Sequence, residues 1–332
     1  MTRRTTIHDV AAEAGVSVAT VSKAVNGRYG VAEDTVSRVL AAVEKLGYES
    51  SLVASSMRSR RTGVIGVLVP DFEPFSAEVL KGVGAALNGS SYDVVAYAGV
   101  RHHASTGWER RSLQRLSGTL IDAAIMVTPT VLTPSIDIPV VAVDPHTGDG
   151  DFPTVASDSF GGALQATRYL LDLGHRRIGF LAGRPDLRSA QLREAGYRQA
   201  LADAGIPFDP ALVAEGRYDA DAAAEAARTL LSSAPPTAVF AANDLSALAV
   251  LDVAASLGLD VPGDLSIVGF DDIPEASRRT PAMTTVRQPM HRLGVVAAQF
   301  ATAMLNGQPP EQPRVILPTK LIPRATTAPP RA

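Results

Sequence analysis

Thr6-Ile7-His8-Asp9-Val10-Ala11-Ala12-Glu13-Ala14-Gly15-Val16-Ser17-Val18-Ala19-Thr20-Val21-Ser22-Lys23-Ala24-Val25-Asn26 reads as a helix, a tight turn and a second helix. Thr6 is placed to cap the first helix, and Asp9, three residues on, completes a variant of the capping box. Gly15 supplies the left-handed residue that ends this helix, and Ser17 caps the next. The second helix has two unlike faces. Val18, Val21, Ala24 and Val25 form an apolar stripe, while Ser17, Thr20, Ser22, Lys23 and Asn26 offer short hydrogen-bonding groups and one cation. A helix of this kind, entered from a three-residue turn, suits a DNA major groove. Two helices packed about a glycine turn also occur in plain helical bundles, so the pattern alone leaves both readings open.

A third helix is expected between Ala32 and Gly47, with Val36, Val39, Leu40, Val43 and Leu46 at helical spacing on its core face and Gly47 as its stop. Residues 49–62 are rich in serine and arginine, the composition of a flexible tether. Leu52, Val53, Ala54 and Met57 nevertheless give the segment a short apolar face, with Ser51 placed to cap it. From Val64 the pattern changes to short apolar runs alternating with helical periods. Ile65–Val69, Val94–Tyr97, Ala123–Val127 and Pro139–Val143 read as strands, and the cycle restarts at Ile178–Ala182 after a helix over Gly161–Leu173. Val239–Ala242 and Ser266–Phe270 follow. Alternating strands and helices predict parallel sheets covered on both faces. The restart near Arg177 predicts two similar α/β lobes behind an all-α head.

Size and charge agree with this division. The chain has 332 residues, 46% hydrophobic and 20% charged, enough for more than one core and typical of a globular protein. Net charge is −3, but residues 1–62 hold nine Lys/Arg against six Asp/Glu, or +3, leaving −6 for the rest. A basic module on an acidic body is the asymmetry expected of a DNA-binding head. With no cysteine, disulfides, thiolate metal sites and a cysteine nucleophile are excluded. The polar start Met1-Thr2-Arg3-Arg4-Thr5 and the lack of any apolar run near 20 residues predict a cytoplasmic protein with no membrane partner.

Ligands of parallel α/β sheets bind at the carboxyl ends of strands. Asp71–Ser76, Asp144, Arg184–Arg193, Asn243-Asp244 and Asp271-Asp272 stand at five such ends. Carboxylates and guanidinia that bridge adjacent hydroxyls, beside aromatic rings that stack on C–H faces, suit a sugar. Asp244 and Asp272 read instead as a helix cap or a surface loop acid. Trp108 reads as packing, and His102, His103 and His146 as solvated loop residues. Catalytic patterns are wanting: Gly82-Val83-Gly84 begins a dinucleotide fingerprint, but Leu87 stands at the third glycine. No phosphate loop or nucleophile elbow is present. Neither a cofactor, a metal nor an enzymatic activity is expected.

The head resembles that of the lactose-repressor/galactose-repressor family of transcriptional regulators, through Asp9-Val10-Ala11, Ala14-Gly15-Val16-Ser17, Thr20-Val21-Ser22 and Asn26. The resemblance continues through Gly47-Tyr48, Arg60-Arg61-Thr62, Ile65-Gly66, Gly174-His175, Asn243-Asp244, Gly269-Phe270-Asp271-Asp272 and Pro281 with Thr284-Thr285, so it spans essentially the whole chain. It implies a helix-turn-helix head (1–48), a hinge helix (49–62) and a core (63–332) like periplasmic sugar-binding proteins. The core would divide into one lobe of about 63–156 with 288–317 and a second of about 157–287 with 318–328. Ser17, Val18, Ala19, Thr20, Ser22, Lys23 and Asn26 are then expected in the major groove, and Thr6, Ile7 and Arg28 against the phosphates. Ala54 and Met57 match minor-groove wedge positions. Ser50-Ser51 replaces the usual Pro-Asn before the hinge, and Ala32 replaces a usual serine cap.

In the core, the resemblance assigns Arg193, Asn243, Asp271 and Tyr218 to effector binding, with Asp144 and Ser189 beside them. Phe75 and Ser76 stand where an aromatic pair is more usual, which makes that side smaller or more polar. The expected protein is a homodimeric regulator, most simply a repressor, on a pseudo-palindromic double-stranded operator with a carbohydrate effector. A dimer rather than a tetramer is expected because no leucine heptads follow Lys320. A solute-binding protein of a sugar transporter and a sugar-processing enzyme are the rival readings.

Overall fold

The structure is a computed structural model describing residues 5–25, 30–46, 61–99, 108–117, 119–130, 136–146, 152–232 and 235–331. Expectations for Asn26, Arg28, Ala54, Met57, His102 and His103, and for the hinge up to residue 60, lie outside these residues. The chain forms two compact units, residues 1–62 and 63–332.

The first unit holds α1 (Ile7–Ala14), α2 (Val18–Val25) and α3 (Glu33–Leu46). The backbone N–H and hydroxyl of Thr6 both donate to the Asp9 carboxylate, at 2.8 and 2.7 Å, and Gly15 leaves α1 at φ 64°. Ser17 Oγ accepts from the Thr20 N–H at 3.1 Å, which starts α2. Val10, Val21 and Val39 are fully buried, and Ala11, Ala14, Ala24 and Ala42 let three short helices approach. Burying each valine contributes roughly 1.5–3 kcal/mol. Leu40 departs from expectation: it is 49% exposed, and Ala42 takes the buried place. At 100° per residue, Leu40 falls about 90° from the centre of the face set by Val39, Val43 and Leu46, whereas Ala42 falls nearer, at about 65°.

The second unit contains two six-stranded sheets. The first holds β1 (Val64–Val69), β2 (Asp93–Ala98), β3 (Ala123–Val127), β4 (Val140–Val143), β5 (Thr154–Ser157) and β11 (Arg314–Leu317), all parallel. The second holds β6 (Ile178–Ala182), β7 (Val213–Glu215), β8 (Ala238–Ala241), β9 (Ser266–Asp271), β10 (Thr284–Arg287) and β12 (Lys320–Ile322), with only β12 antiparallel. Their orders, β11-β5-β4-β3-β1-β2 and β12-β10-β9-β8-β6-β7, are the same arrangement twice. The chain passes between the lobes at residues 157–159, 287–290 and 317–320. Thr319 Oγ1 donates to the Asp158 carbonyl at 3.1 Å, tying the third crossover to the first.

Helices cover both sheets. In the first lobe α4 (Pro74–Leu87) and α11 (Met290–Leu305) pack so closely that a Cβ on Gly82 would lie 2.0 Å from the His291 carbonyl oxygen. α5 (Trp108–Leu116) covers the other face, where Trp108, Leu113 and Leu116 meet Val64, Leu68 and Met126. In the second lobe α6 (Ser159–Asp172) pairs with α7 (Arg188–Asp203), while α8 (Ala220–Ser232) and α9 (Asp244–Ser256) take the opposite face. The short α10 (Pro274–Arg278) follows β9. Among the described residues no helix is long and apolar enough to cross a membrane.

Candidate functional site

In the head, the packing of α2 decides which residues remain accessible. Val21 and Ala24 are spent on the three-helix core, with Val18 and Val25 packed against it. Ser17, Ala19 and Lys23 are exposed, and Thr20 and Ser22 half-buried. Ser17 and Thr20 also pair through their hydroxyls at 2.9 Å, so both are held in place at the start of the helix. Thr6 and Ile7 are half-buried at the start of α1.

In the second unit, polar side chains from both lobes line one cleft of about 280 Å³. Phe75, Ser76, Asp144, Ser189, Arg193, Tyr218, Asn243 and Asp271 all face it. The backbone aims several of them. Six described non-glycine residues have positive φ, and five of these, Thr128, Asp144, Arg217, Tyr218 and Asp271, line the cleft at or just after the ends of β3, β4, β7 and β9. Such conformations cost about 1–3 kcal/mol each and cluster where function requires a fixed side-chain direction. Gly183 makes room for the Tyr218 ring, whose atoms would lie 2.3–2.7 Å from a Cβ there.

Arg193 is the centre of the site. It is 4% exposed, its Nη1 donates to the Ala242 carbonyl at 2.5 Å and stands 3.7 Å from Asp271, and its Nε reaches Ser159 Oγ at 3.4 Å. The guanidinium lies 3.8 Å above the Phe270 ring and 5.5 Å from that of Tyr218. Asn243 caps α9 through its side-chain oxygen, which accepts from Ser246 N–H at 3.0 Å and leaves the amide NH2 unused by the cap. Tyr218 and Ser189 join hydroxyls at 3.3 Å. Rigid donors and acceptors beside aromatic rings are equipped to hold a polyhydroxylated molecule.

Electrostatically the cleft is rich in carboxylates. Burial pushes Asp271 up to about 6 despite Arg193 and the Gln288 hydrogen bond. Asp144 is raised by burial too, with Arg193 opposing. Glu73, at the rim, rises to about 7 through loss of water and the neighbouring Asp71, Asp271 and Asp219. Burial, helped by Arg193 and Arg184, depresses His146 to about 4.

His146 was expected in solvent but lines the cleft, with Nδ1 buried and unpartnered. Trp108 is 4% exposed in the core, as its packing role requires, and its edge also reaches the cleft. Asp244 is no surface acid: it is fully buried, accepting from Thr285 Oγ1 at 2.6 Å and the Ile273 N–H at 2.9 Å. Asp272 is likewise enclosed, between Arg287 and Arg324 at 2.6 Å each. Gln288, Thr130 and Arg217 line the cleft without any sequence signal that singles them out.

Comparison with known proteins agrees with both halves. Residues 6–51 match the model of bacterial regulatory proteins of the lacI family, and residues 167–327 that of a periplasmic binding protein-like domain. Catabolite control protein A of Priestia megaterium is 32% identical over 331 residues, covering 97% of this chain and 99% of the relative. A solved complex of the transcriptional regulator CelR with cellobiose is 34% identical, with a TM-score of 0.74 over 97% of this chain and 100% of that one. The Lac repressor dimer bound to operator and the anti-inducer ONPF superposes with a TM-score of 0.82 at 26% identity, over 98% of this chain and 100% of that one. With a helix-turn-helix head and two matching α/β lobes, the chain belongs to the LacI family and is a DNA-binding transcriptional regulator.

Proposed function

We propose that this regulator is a homodimeric repressor whose operator affinity is set by a sugar held between the lobes. The observation that carries the reading is the convergence of eight residues from strand ends, loops and helix N-terminal halves, from Phe75 to Asp271, on one cleft. Arg193 and Asp271 would hold adjacent hydroxyls, Asn243 would donate its amide, and Tyr218, Phe75 and Trp108 would offer ring faces. The cellobiose in the CelR complex supports a carbohydrate over other ligand classes.

In the head, Ser17, Val18, Ala19, Thr20, Ser22, Lys23 and Asn26 would enter the major groove, with Thr6, Ile7 and Arg28 on phosphates. Ala54 and Met57 of paired hinges would wedge the minor groove. Val94 and Val95 on the edge strand β2 are exposed, at 37% and 41%, which supports a second copy covering them. Effector binding and DNA binding would then be coupled reciprocally. Calorimetry of the full chain against mono- and disaccharides, starting with cellobiose and ribose, tests the ligand class. Heat with none of the panel, or with sugar phosphates alone, would contradict it.

A further inference from the structure

Equivalent parts of the two lobes meet beside the cleft. β4 and β9 occupy the same place in their sheets, and each leads into a carboxylate of positive φ, Asp144 and Asp271. β5 and β10 are equivalent as well, and lead through Ser157 and Gln288 into the first two crossovers. The Ser157 N–H donates to Asp144 at 3.2 Å. In the other lobe the Gln288 side-chain amide donates to Asp271 at 2.6 Å, and its backbone N–H donates to the Asp271 carbonyl at 3.2 Å. The Ser157 hydroxyl donates to Gln288 Oε1 and closes the gap between the halves. All four residues are buried.

We propose that Ser157 and Gln288 are positioning residues, which join the two cleft carboxylates into one hydrogen-bonded chain across the crossovers and thereby fix the lobe angle. Its regulatory purpose rests on the reading of the cleft as an effector site; the chain itself does not. The Asp271 carboxylate can only accept, so Gln288 turns its NH2 to Asp271 and its oxygen to Ser157. The Ser157 hydroxyl also lies 3.3 Å from Asp144 Oδ2, so its one hydrogen faces an acceptor in each lobe. A flipped amide would set an oxygen against the Asp271 carboxylate. Rotation of the lobes about the crossovers moves Ser157 against Gln288, so any ligand that bridges Asp144 and Asp271 acts on this link.

The test is hydrogen exchange of the full-length protein without ligand, on wild type, Gln288→Glu and Ser157→Ala. Charged and titratable groups facing position 288 are Asp271, Asp144 and Arg193 in the cleft, Asp244 behind Asp271, and, in a second pocket, Arg287, Asp272, Arg324, Glu78, His291 and Arg292. At pH 8 the introduced carboxylate opposes Asp271 and cannot donate, so the amides of Ser157 and Gln288 should exchange about ten- to a hundredfold faster, the equivalent of one charged hydrogen bond. Ala123–Val127 and Ala238–Ala241 should keep their protection. At pH 6, after correction for intrinsic rates, a proton shared by the two carboxyls restores the donor and the excess should shrink severalfold. Ser157→Ala has no titrating group and should keep its excess at both pH values, and the double variant should open no further than either single one. An excess that stays constant to pH 6, or wild-type protection in Gln288→Glu at pH 8, overturns the proposal. If that variant does not fold, unchanged exchange at Gln288 in Ser157→Ala overturns it. Saccharide binding does not enter this readout, so a failed ligand class and a failed chain give separate results.

Discussion

Arg193→Ala removes the group around which the cleft is built. Its guanidinium lies 3.8 Å above the Phe270 ring while donating to Ala242 at 2.5 Å, with Asp271 3.7 Å away. A desolvated cation over a ring contributes about 2 kcal/mol, and breaking a buried charge pair costs about 3–5 kcal/mol. Asp271 limits the damage because it already titrates at about 6 and can take a proton instead. Its carboxyl binds protons more tightly folded than unfolded, so its contribution to stability falls as pH rises from 3.8 to about 6. Without Arg193 that window extends to higher pH. Urea unfolding should therefore show a loss of roughly 2–4 kcal/mol at pH 8 and a smaller one at pH 5. Effector affinity should fall about ten- to more than a hundredfold, the loss of one charged hydrogen bond. For an inducer, operator affinity of the folded variant without ligand should stay within about threefold, since Arg193 belongs to the second unit and not to the head. Equal destabilisation at both pH values, or a full effector response in a folded variant, would refute the reasoning.

Gly82→Ala should destabilise the core by roughly 1–3 kcal/mol or more in chemical denaturation, because its Cβ meets the His291 carbonyl at 2.0 Å. Gly84→Ala, in the same helix but with open space around it, should stabilise by about 0.5–1 kcal/mol; equal effects at both positions would contradict the packing of α4 on α11. His146 titrates at about 4 folded and 6.5 unfolded, so its contribution is present above pH 6.5 and lost as pH falls towards 4. Relative to wild type, His146→Gln should gain about 3 kcal/mol over that range, from roughly 1.4 kcal/mol per unit; a pH-independent difference would place the ring in solvent. Met57→Gly should weaken binding to the correct operator while leaving random DNA nearly unchanged in a band-shift titration; equal losses on both would remove the wedge.

The parts of this protein with local determinants were readable in its residues. Gly15 and Ser17 mark the turn of the head, and the apolar runs ending at Val69, Val143, Ala182 and Ala241 mark strands whose exits carry the cleft residues. Leu40 shares the helical spacing of the core residues yet stays exposed, because the face that a small bundle can bury is narrower than that spacing. His146 and Gln288 follow no period, since loops and crossovers are placed by the sheets they connect. Asp244 looked like a helix-start acid, and it does open α9; its burial depends on Thr285 and Ile273, brought to it from other strands and loops. Topology decides such contacts, and no spacing in the chain records them.

The most direct test of the account is a band-shift titration of the full-length protein on DNA from upstream of its own gene, with and without each saccharide of the calorimetric panel. Specific affinity of about 10⁻⁸ M or tighter, at least about a thousandfold above random DNA, is predicted on a pseudo-palindromic site. One sugar that binds the cleft should shift that affinity, and Arg193→Ala should abolish the shift. Equal affinity for random DNA, or operator binding indifferent to a sugar that occupies the cleft, would contradict it.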